Sequence, residues 1–109
     1  MSDVIAGIQW SVGNNMKIIN MSLGSSSPSK SLKNACDTAY NRGLLIIASA
    51  GNSGNSIGTG NNVNYPARYD SVAAVAAIDI NNTRAWFSST GPAVELSAPG
   101  VNIYPTLLK

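Results

Sequence analysis

The sequence predicts an α/β fold in which a mostly parallel sheet is buried between helical layers. Three observations carry this expectation. Helix-like and strand-like apolar patterns alternate along the chain, the connections between them are short, and the strand-like runs are nearly continuously apolar; the 44% hydrophobic share also rules out a disordered tail. Short helix–strand alternation argues for parallel strands joined by right-handed crossovers, and such units pack in layers. At 109 residues the chain has room for one domain.

The first element is a helix that begins at Ser2-Asp3. Val4, Ile5, Ile8 and Val12 share one helical face. Ser2 suits the N-cap and Asp3 the positive end of the helix dipole. Gly13-Asn14-Asn15 is a stop signal. Met16 to Leu23 follows as a strand whose nearly continuous apolar run suggests burial on both faces. After the Gly24–Ser29 loop, Ser29 or Ser31 is placed to cap a second helix running to about Arg42. Leu32, Ala35, Cys36, Ala39 and Tyr40 form its apolar face, and Gly43 lies at the expected C′ position.

Leu44 to Ser49 reads as a second buried strand. The Gly/Asn/Ser-rich stretch from Gly51 to Asn64 has no apolar period, and loops of that length in a compact domain are usually functional or disordered. Val72 to Ile80 is a third buried strand, whose alanines demand close packing, and Asn81-Asn82 is a turn. Trp86-Phe87 and Val94–Ala98 are expected as short strands. Val101–Tyr104 offers one more after the Pro99-Gly100 break. A parallel sheet needs helices on both faces. With only two helices in view, the sequence reads as a piece of a larger sheet.

Composition excludes several functions. The net charge of +2, from 7 basic and 5 acidic residues, is too small and too scattered for a nucleic-acid footprint. No apolar run approaches the ~20 residues of a membrane span, and no signal peptide is visible. One cysteine rules out an internal disulfide and a cysteine-based zinc cluster; Cys36, on an apolar helix face, reads as a small buried hydrophobe. The chain has no histidine, so it cannot by itself assemble a catalytic constellation that needs an imidazole. Gly51–Gly60 contains neither G-x-G-x-x-G nor a G-K-[ST] ending, so it is not a phosphate loop. Of two N-x-[ST] matches, at Asn20 and Asn81, the first lies in an expected buried strand and is a poor glycosylation site.

The strongest local signal is Ala48-Ser49-Ala50-Gly51-Asn52-Ser53-Gly54, directly after a buried strand. Sites in open α/β sheets lie beyond the carboxyl ends of strands. Small residues there leave space for a ligand, and an asparagine offers an amide donor able to stabilise a negative oxygen in a dry cleft. The same residues also fit an Asn/Gly-rich turn with a satisfied amide. Asn20-Met21-Ser22-Leu23-Gly24 ends the preceding strand. It reads either as an edge to which an extended peptide adds or as a plain strand end and turn. Tyr65-Pro66, between a loop and a buried strand, is a reasonable place for a cis bond. Glu95 is the only acid in the last quarter of the chain; such a carboxylate either helps hold a hard cation or is a solvated surface charge.

Taken in order, Ile18–Gly24 (IINMSLG), Ala50–Gly54 (AGNSG), Tyr65-Pro66-Ala67, Phe87-Ser88-Ser89 and Ala98-Pro99-Gly100 resemble the subtilisin-like serine proteases, the subtilases of peptidase family S8. Ile5–Trp10 resembles that family's preceding central helix. The likeness covers Ser2 to about Leu107. It implies a three-layer sandwich and peptide-bond hydrolysis by a Ser-His-Asp triad. It places residues 1–109 between the catalytic His and the catalytic Ser, so that the chain alone is expected to be inactive. A second expectation, from a different class, is a non-catalytic peptide-binding remnant.

The resemblance implies the following roles. Asn52 matches the oxyanion-hole asparagine. Ser22, Leu23 and Gly24 match the strand that pairs with substrate backbone. Ser49, Ala50 and Gly51 match a wall of the first specificity pocket, with Asn64 at its base, and Val4 and Leu23 border the P4 pocket. Tyr65-Pro66 matches a cis bond. The carbonyls of Ala67, Tyr69 and Val72, with Glu95, match a weak Ca2+ or Na+ site that the chemistry does not require. The implied partners are a polypeptide substrate and flanking segments of the same catalytic domain, with no nucleic acid and no membrane. Most of the family is secreted, which implies an extracellular parent, although an intracellular branch exists.

Overall fold

The computed structural model describes residues 1–107. Four parallel strands form one sheet in the order β1-β2-β3-β4: β1 Ile18–Met21, β2 Leu45–Ser49, β3 Ala73–Ile78 and β4 Val94–Pro99. Helix α1 spans Ser2–Gly13 and α2 spans Lys30–Asn41. The α/β class and the parallel pairing follow the sequence reading.

Both helices end as their sequences specify. After α2, the Leu44 N–H reaches the Ala39 carbonyl at 3.1 Å and the Gly43 N–H reaches Tyr40 at 2.9 Å. After α1, Met16 bonds Ser11 at 3.0 Å and Asn15 bonds Val12 at 3.3 Å, with Asn15 left-handed at φ 57°. Both are Schellman closures. Ser29 caps α2, its side chain accepting from the Leu32 N–H at 3.2 Å. Ser2 does not cap α1: it is the first helical residue, the N-cap is Met1, and no side chain closes that end.

The strands are shorter than their apolar runs. Met16 is consumed by the α1 closure, and β1 has partners only from Leu45 to Ala48. β3 stops where the Asp79 carboxylate accepts from the Asn81 and Thr83 N–H groups and starts the expected turn. Trp86-Phe87 is not a strand but part of a turn, and Val101–Tyr104 forms no strand. β3 has ended by Ile78, whose carbonyl takes the Gly100 N–H at 3.0 Å, so the chain beyond Gly100 has no strand left beside it.

Both helices cover one face of the sheet. Ile8, Leu32, Ala35, Cys36 and Ala39 join Met21, Ile46, Ala48, Ala74 and Ala76 in a single core. The small side chains of β2 and β3 let that layer approach closely. Tyr40, expected on the apolar face, is exposed. Burial raises the Cys36 thiol to about 11. The opposite face, with Ile18, Leu45 and Leu96 at 61%, 51% and 62% exposure, lacks cover among the described residues. Burial on both faces, expected for the strands, is therefore not what the described residues show: successive side chains alternate sides, and both helices lie on the same one.

Candidate functional site

Three segments meet beyond the carboxyl ends of β1 and β2: Ser22–Ser25, Ser49–Gly54 and Asn64-Tyr65. Ser25 and Tyr65 form an antiparallel bridge, each N–H donating to the other's carbonyl, at 2.9 and 2.8 Å. The Asn64 N–H donates to the Ala50 carbonyl at 2.9 Å. The Asn64 side chain then fills the space between the two strand ends. A Cβ on Gly51 would come within 2.6 Å of its Nδ2, and one on Gly24 within 3.1 Å of its Cβ. Gly51 also has φ +106°, a conformation other residues rarely adopt. The glycine after the strand is thus required twice, by backbone angle and by the asparagine against it.

Asn52 stands on this turn. It is exposed, and its amide has no hydrogen-bond partner among the described residues. Its neighbours are fixed. The Gly51 carbonyl accepts from the Ser89 N–H at 3.0 Å, the Ser53 N–H donates to Ser89 Oγ at 3.0 Å, and the Gly54 N–H donates to the Phe87 carbonyl at 2.9 Å. Ser53 Oγ donates to Asn64 Oδ1 at 3.2 Å. Gly54 lies so close to the Ser88 carbonyl that a Cβ there would overlap it. The result is a free amide on a turn held from both sides. A preoriented neutral donor of this kind can stabilise charge developing on an oxygen.

The remaining site residues sit as follows. Ser22, Leu23 and Gly24 are exposed and extend beyond β1, and no backbone hydrogen bond engages them among the described residues. Free donors and acceptors of this kind are what an added extended strand pairs with. Of the residues matched to a pocket wall, Ser49 is exposed and Gly51 half-buried, whereas Ala50 is 1% exposed and presents only its backbone. Ser22 and Ser49 line one depression of about 470 Å³ on the open face of the sheet. Val4 is half-buried and packs against the core. The Tyr65-Pro66 bond is cis.

The residues matched to a cation site are only partly assembled. Val72 and Glu95 line one cavity of about 650 Å³ together with Asp70, while Ala67 and Tyr69 do not line it. The Tyr69 carbonyl accepts from the Val72 N–H at 3.0 Å. Glu95 is the one carboxylate of the matched set.

Sequence reasoning overlooked Arg84. Its guanidinium donates from Nη1 to the carbonyls of Ala85, Trp86 and Ser88 at 2.9, 3.1 and 2.8 Å, and from Nη2 to that of Asn55 at 2.7 Å. It also overlooked what Ser88 and Ser89 do. Both are 1% exposed; Ser88 Oγ accepts from the Ala77 N–H at 2.9 Å, and Ser89 Oγ from Ser53. These bonds, with Asn62 and Thr90 exchanging two more, turn the long loop into an ordered layer. An arginine among small polar residues carries no periodic signal that would have revealed this.

Comparison with known proteins gives one answer. The model of the subtilase family matches residues 1–108. The chain is 51% identical over 105 residues to subtilisin DY of Bacillus licheniformis, covering 96% of this chain and 38% of that protein. It is 50% identical over 108 residues to the minor extracellular protease Epr of Bacillus subtilis, covering 99% of this chain and 16% of that one. Among solved structures, a psychrophilic subtilisin-like protease from an Antarctic Pseudoalteromonas superposes with a TM-score of 0.77 at 43% identity. That match covers 88% of this chain and 21% of the other. The chain thus spans well under half the length of these relatives. From the turn that presents Asn52 to the match along nearly its whole length, the chain belongs to the subtilase family.

Proposed function

We propose that residues 1–109 are the substrate-binding and oxyanion-stabilising part of a subtilisin-like serine endopeptidase. The observation that carries this reading is the Asn52 amide, without a partner among the described residues, on a turn pinned on both flanks. A peptide laid along Ser22–Gly24 takes up their free backbone groups. Its P1 side chain enters between that segment and Ser49–Gly51, with Asn64 at the base, and its P4 side chain meets Val4 and Leu23. The scissile carbonyl then points toward Asn52. As a serine hydroxyl attacks the carbon, negative charge grows on the oxygen and the Asn52 Nδ2–H donates to it. The serine, with the histidine and aspartate that activate it, lies outside these residues.

A weakly held Ca2+ or Na+ would be bound by the carbonyls of Ala67, Tyr69 and Val72 with Glu95. Oxygen donors of this kind suit a hard cation, and the cation takes no part in the chemistry. An extracellular site of action is supported by the Bacillus subtilis relative, itself named an extracellular protease.

The test is Asn52→Ala in the complete enzyme. Loss of a subtilisin oxyanion-hole asparagine is known to lower kcat by roughly 10²–10³, and the same range is expected here with KM little changed. An unchanged kcat refutes the role.

A further inference from the structure

We propose that Arg84 is a positioning residue for the Asn52 amide, acting through the 85–89 turn. The proposal rests on the oxyanion reading of Asn52 and extends it to a residue that contacts neither Asn52 nor substrate.

Arg84 is anchored first through its backbone. It faces Ile78 in an antiparallel bridge, and the next N–H, that of Ala85, donates to the Ala77 carbonyl at 2.9 Å. Its side chain then turns back into the loop. Nη1 gathers the carbonyls of Ala85, Trp86 and Ser88, and Nη2 crosses to Asn55, three residues beyond Asn52. The same 85–89 turn supplies three anchors of the Asn52 turn: the Phe87 carbonyl to the Gly54 N–H, the Ser89 N–H to the Gly51 carbonyl, and Ser89 Oγ to the Ser53 N–H. One planar group therefore sets the shape of the anchoring turn and ties it to the chain that carries Asn52.

The chemistry favours arginine specifically. The acceptors are four neutral carbonyls in two segments, and among the described residues the one ion pair is Lys33–Asp37, elsewhere. A guanidinium presents donors on two nitrogens in a rigid fork, so each bond is charge-assisted and the spacing between the segments is fixed. A lysine ammonium is a single point charge on a flexible stem and cannot occupy both positions. Displacement of a group that must meet the oxyanion by even 1 Å can cost about 10²-fold in rate. The positioning of the turn thus bears on kcat, whereas peptide pairing at Ser22–Gly24 does not depend on it.

The experiment is a double-mutant cycle in the complete enzyme, with kcat expressed per titrated active site so that unfolded protein is not counted. Arg84→Ala is expected to lower kcat about 10- to 100-fold with a smaller change in KM, because Gly51 of the proposed pocket wall shares the turn while Ser22–Gly24 does not. Arg84→Lys, which keeps the charge and the aliphatic stem, is expected to fall in the same direction and carries the test if the alanine variant does not fold. In an Asn52→Ala background the further loss from either substitution is expected to be less than about twofold, the limit for additive behaviour. The same proportional loss in both backgrounds, or full kcat in Arg84→Lys, overturns the proposal. If Asn52→Ala itself leaves kcat intact, the oxyanion reading fails first, and that outcome is distinct from additive losses.

Discussion

Gly54→Ala is the substitution that most directly tests whether the Asn52 turn is held by its neighbours. A Cβ on Gly54 would overlap the Ser88 carbonyl oxygen, lie 2.6 Å from the Ser88 carbonyl carbon and 3.0 Å from the Phe87 oxygen. All three atoms are backbone, so no side chain can swing aside, and the 51–55 chain must lift off the 87–89 turn. Lifting breaks the bonds from Gly54 to Phe87 and from Ser53 to Ser89 Oγ. Two such bonds contribute about 1 kcal/mol each, and overpacking adds about 1–3 kcal/mol. The expected destabilisation of the complete enzyme is therefore roughly 3–5 kcal/mol. Calorimetry on inhibitor-blocked enzyme reads this as a fall of about 2–4 °C in Tm per kcal/mol for a domain of 150–250 residues. Ser56→Ala, at an exposed position of the same loop, is the control and should stay within about 0.5 kcal/mol. Because lifting also moves Asn52, kcat should fall with Tm. A Gly54→Ala enzyme with the parent Tm and kcat would refute the clamp.

Three further outcomes are expected. Ser88→Ala leaves the Ala77 N–H of β3 without its buried acceptor and should cost about 1–3 kcal/mol, read as a lower denaturant midpoint at constant m. The Lys33 hydrogen bond first, and the Ser71 hydroxyl second, hold the Asp37 carboxyl below its ordinary range. Its contribution is present above the unfolded-state value of about 3.9 and is lost as pH falls through the depressed folded value. Asp37→Asn should therefore narrow the stability gap between neutral and acid pH, modestly because the pair is solvent-exposed; an identical acid-unfolding profile would contradict this. The 109-residue chain alone, which has no histidine, should cleave no peptide substrate, and cleavage blocked by a fluorophosphonate would overturn that expectation.

How far the sequence could be read depended on what each signal encodes. Helix limits were local: the Ser29 cap and the Gly43 closure lie within a few residues of the bonds they make. Strand identity was legible in the apolar runs, but strand length was not, because it is set by partners far along the chain. β1 ends where β2 stops facing it, and Val101–Tyr104 stays unpaired because β3 has already turned at Asp79. Trp86-Phe87 has strand-like residues, yet Arg84 draws the adjacent carbonyls into a turn. Burial on both faces was inferred from apolarity, which reports a preference for cover and not whether cover is there. The position of Asn52 was legible because a glycine-flanked asparagine after a buried strand is a local pattern. The clamp of Arg84, Ser88 and Ser89 was not, since its bonds span up to 38 residues, from Gly51 to Ser89.

The clamp gives a loop without helix or strand the fixed geometry that the proposed oxyanion role demands. An oxyanion donor is effective only if it already points where charge will develop, because reorienting it during the reaction consumes the gain. A strand would fix the turn but would also occupy its backbone. Here the fixing is done by backbone-to-backbone bonds on either side of Asn52 and by two buried serine hydroxyls, which leave the Asn52 amide free. The segments that carry the site, Ser22–Ser25, Ser49–Gly54 and Asn64-Tyr65, contain no ionisable group except the Tyr65 phenol. A neutral amide can be enclosed by substrate without the large desolvation cost of a buried ion, and its pull on the oxygen strengthens as charge accumulates there. The low charge of the chain and the exposed, neutral amide of Asn52 are therefore consistent with the proposed role, in which a substrate covers the surface and the amide acts mainly in the transition state.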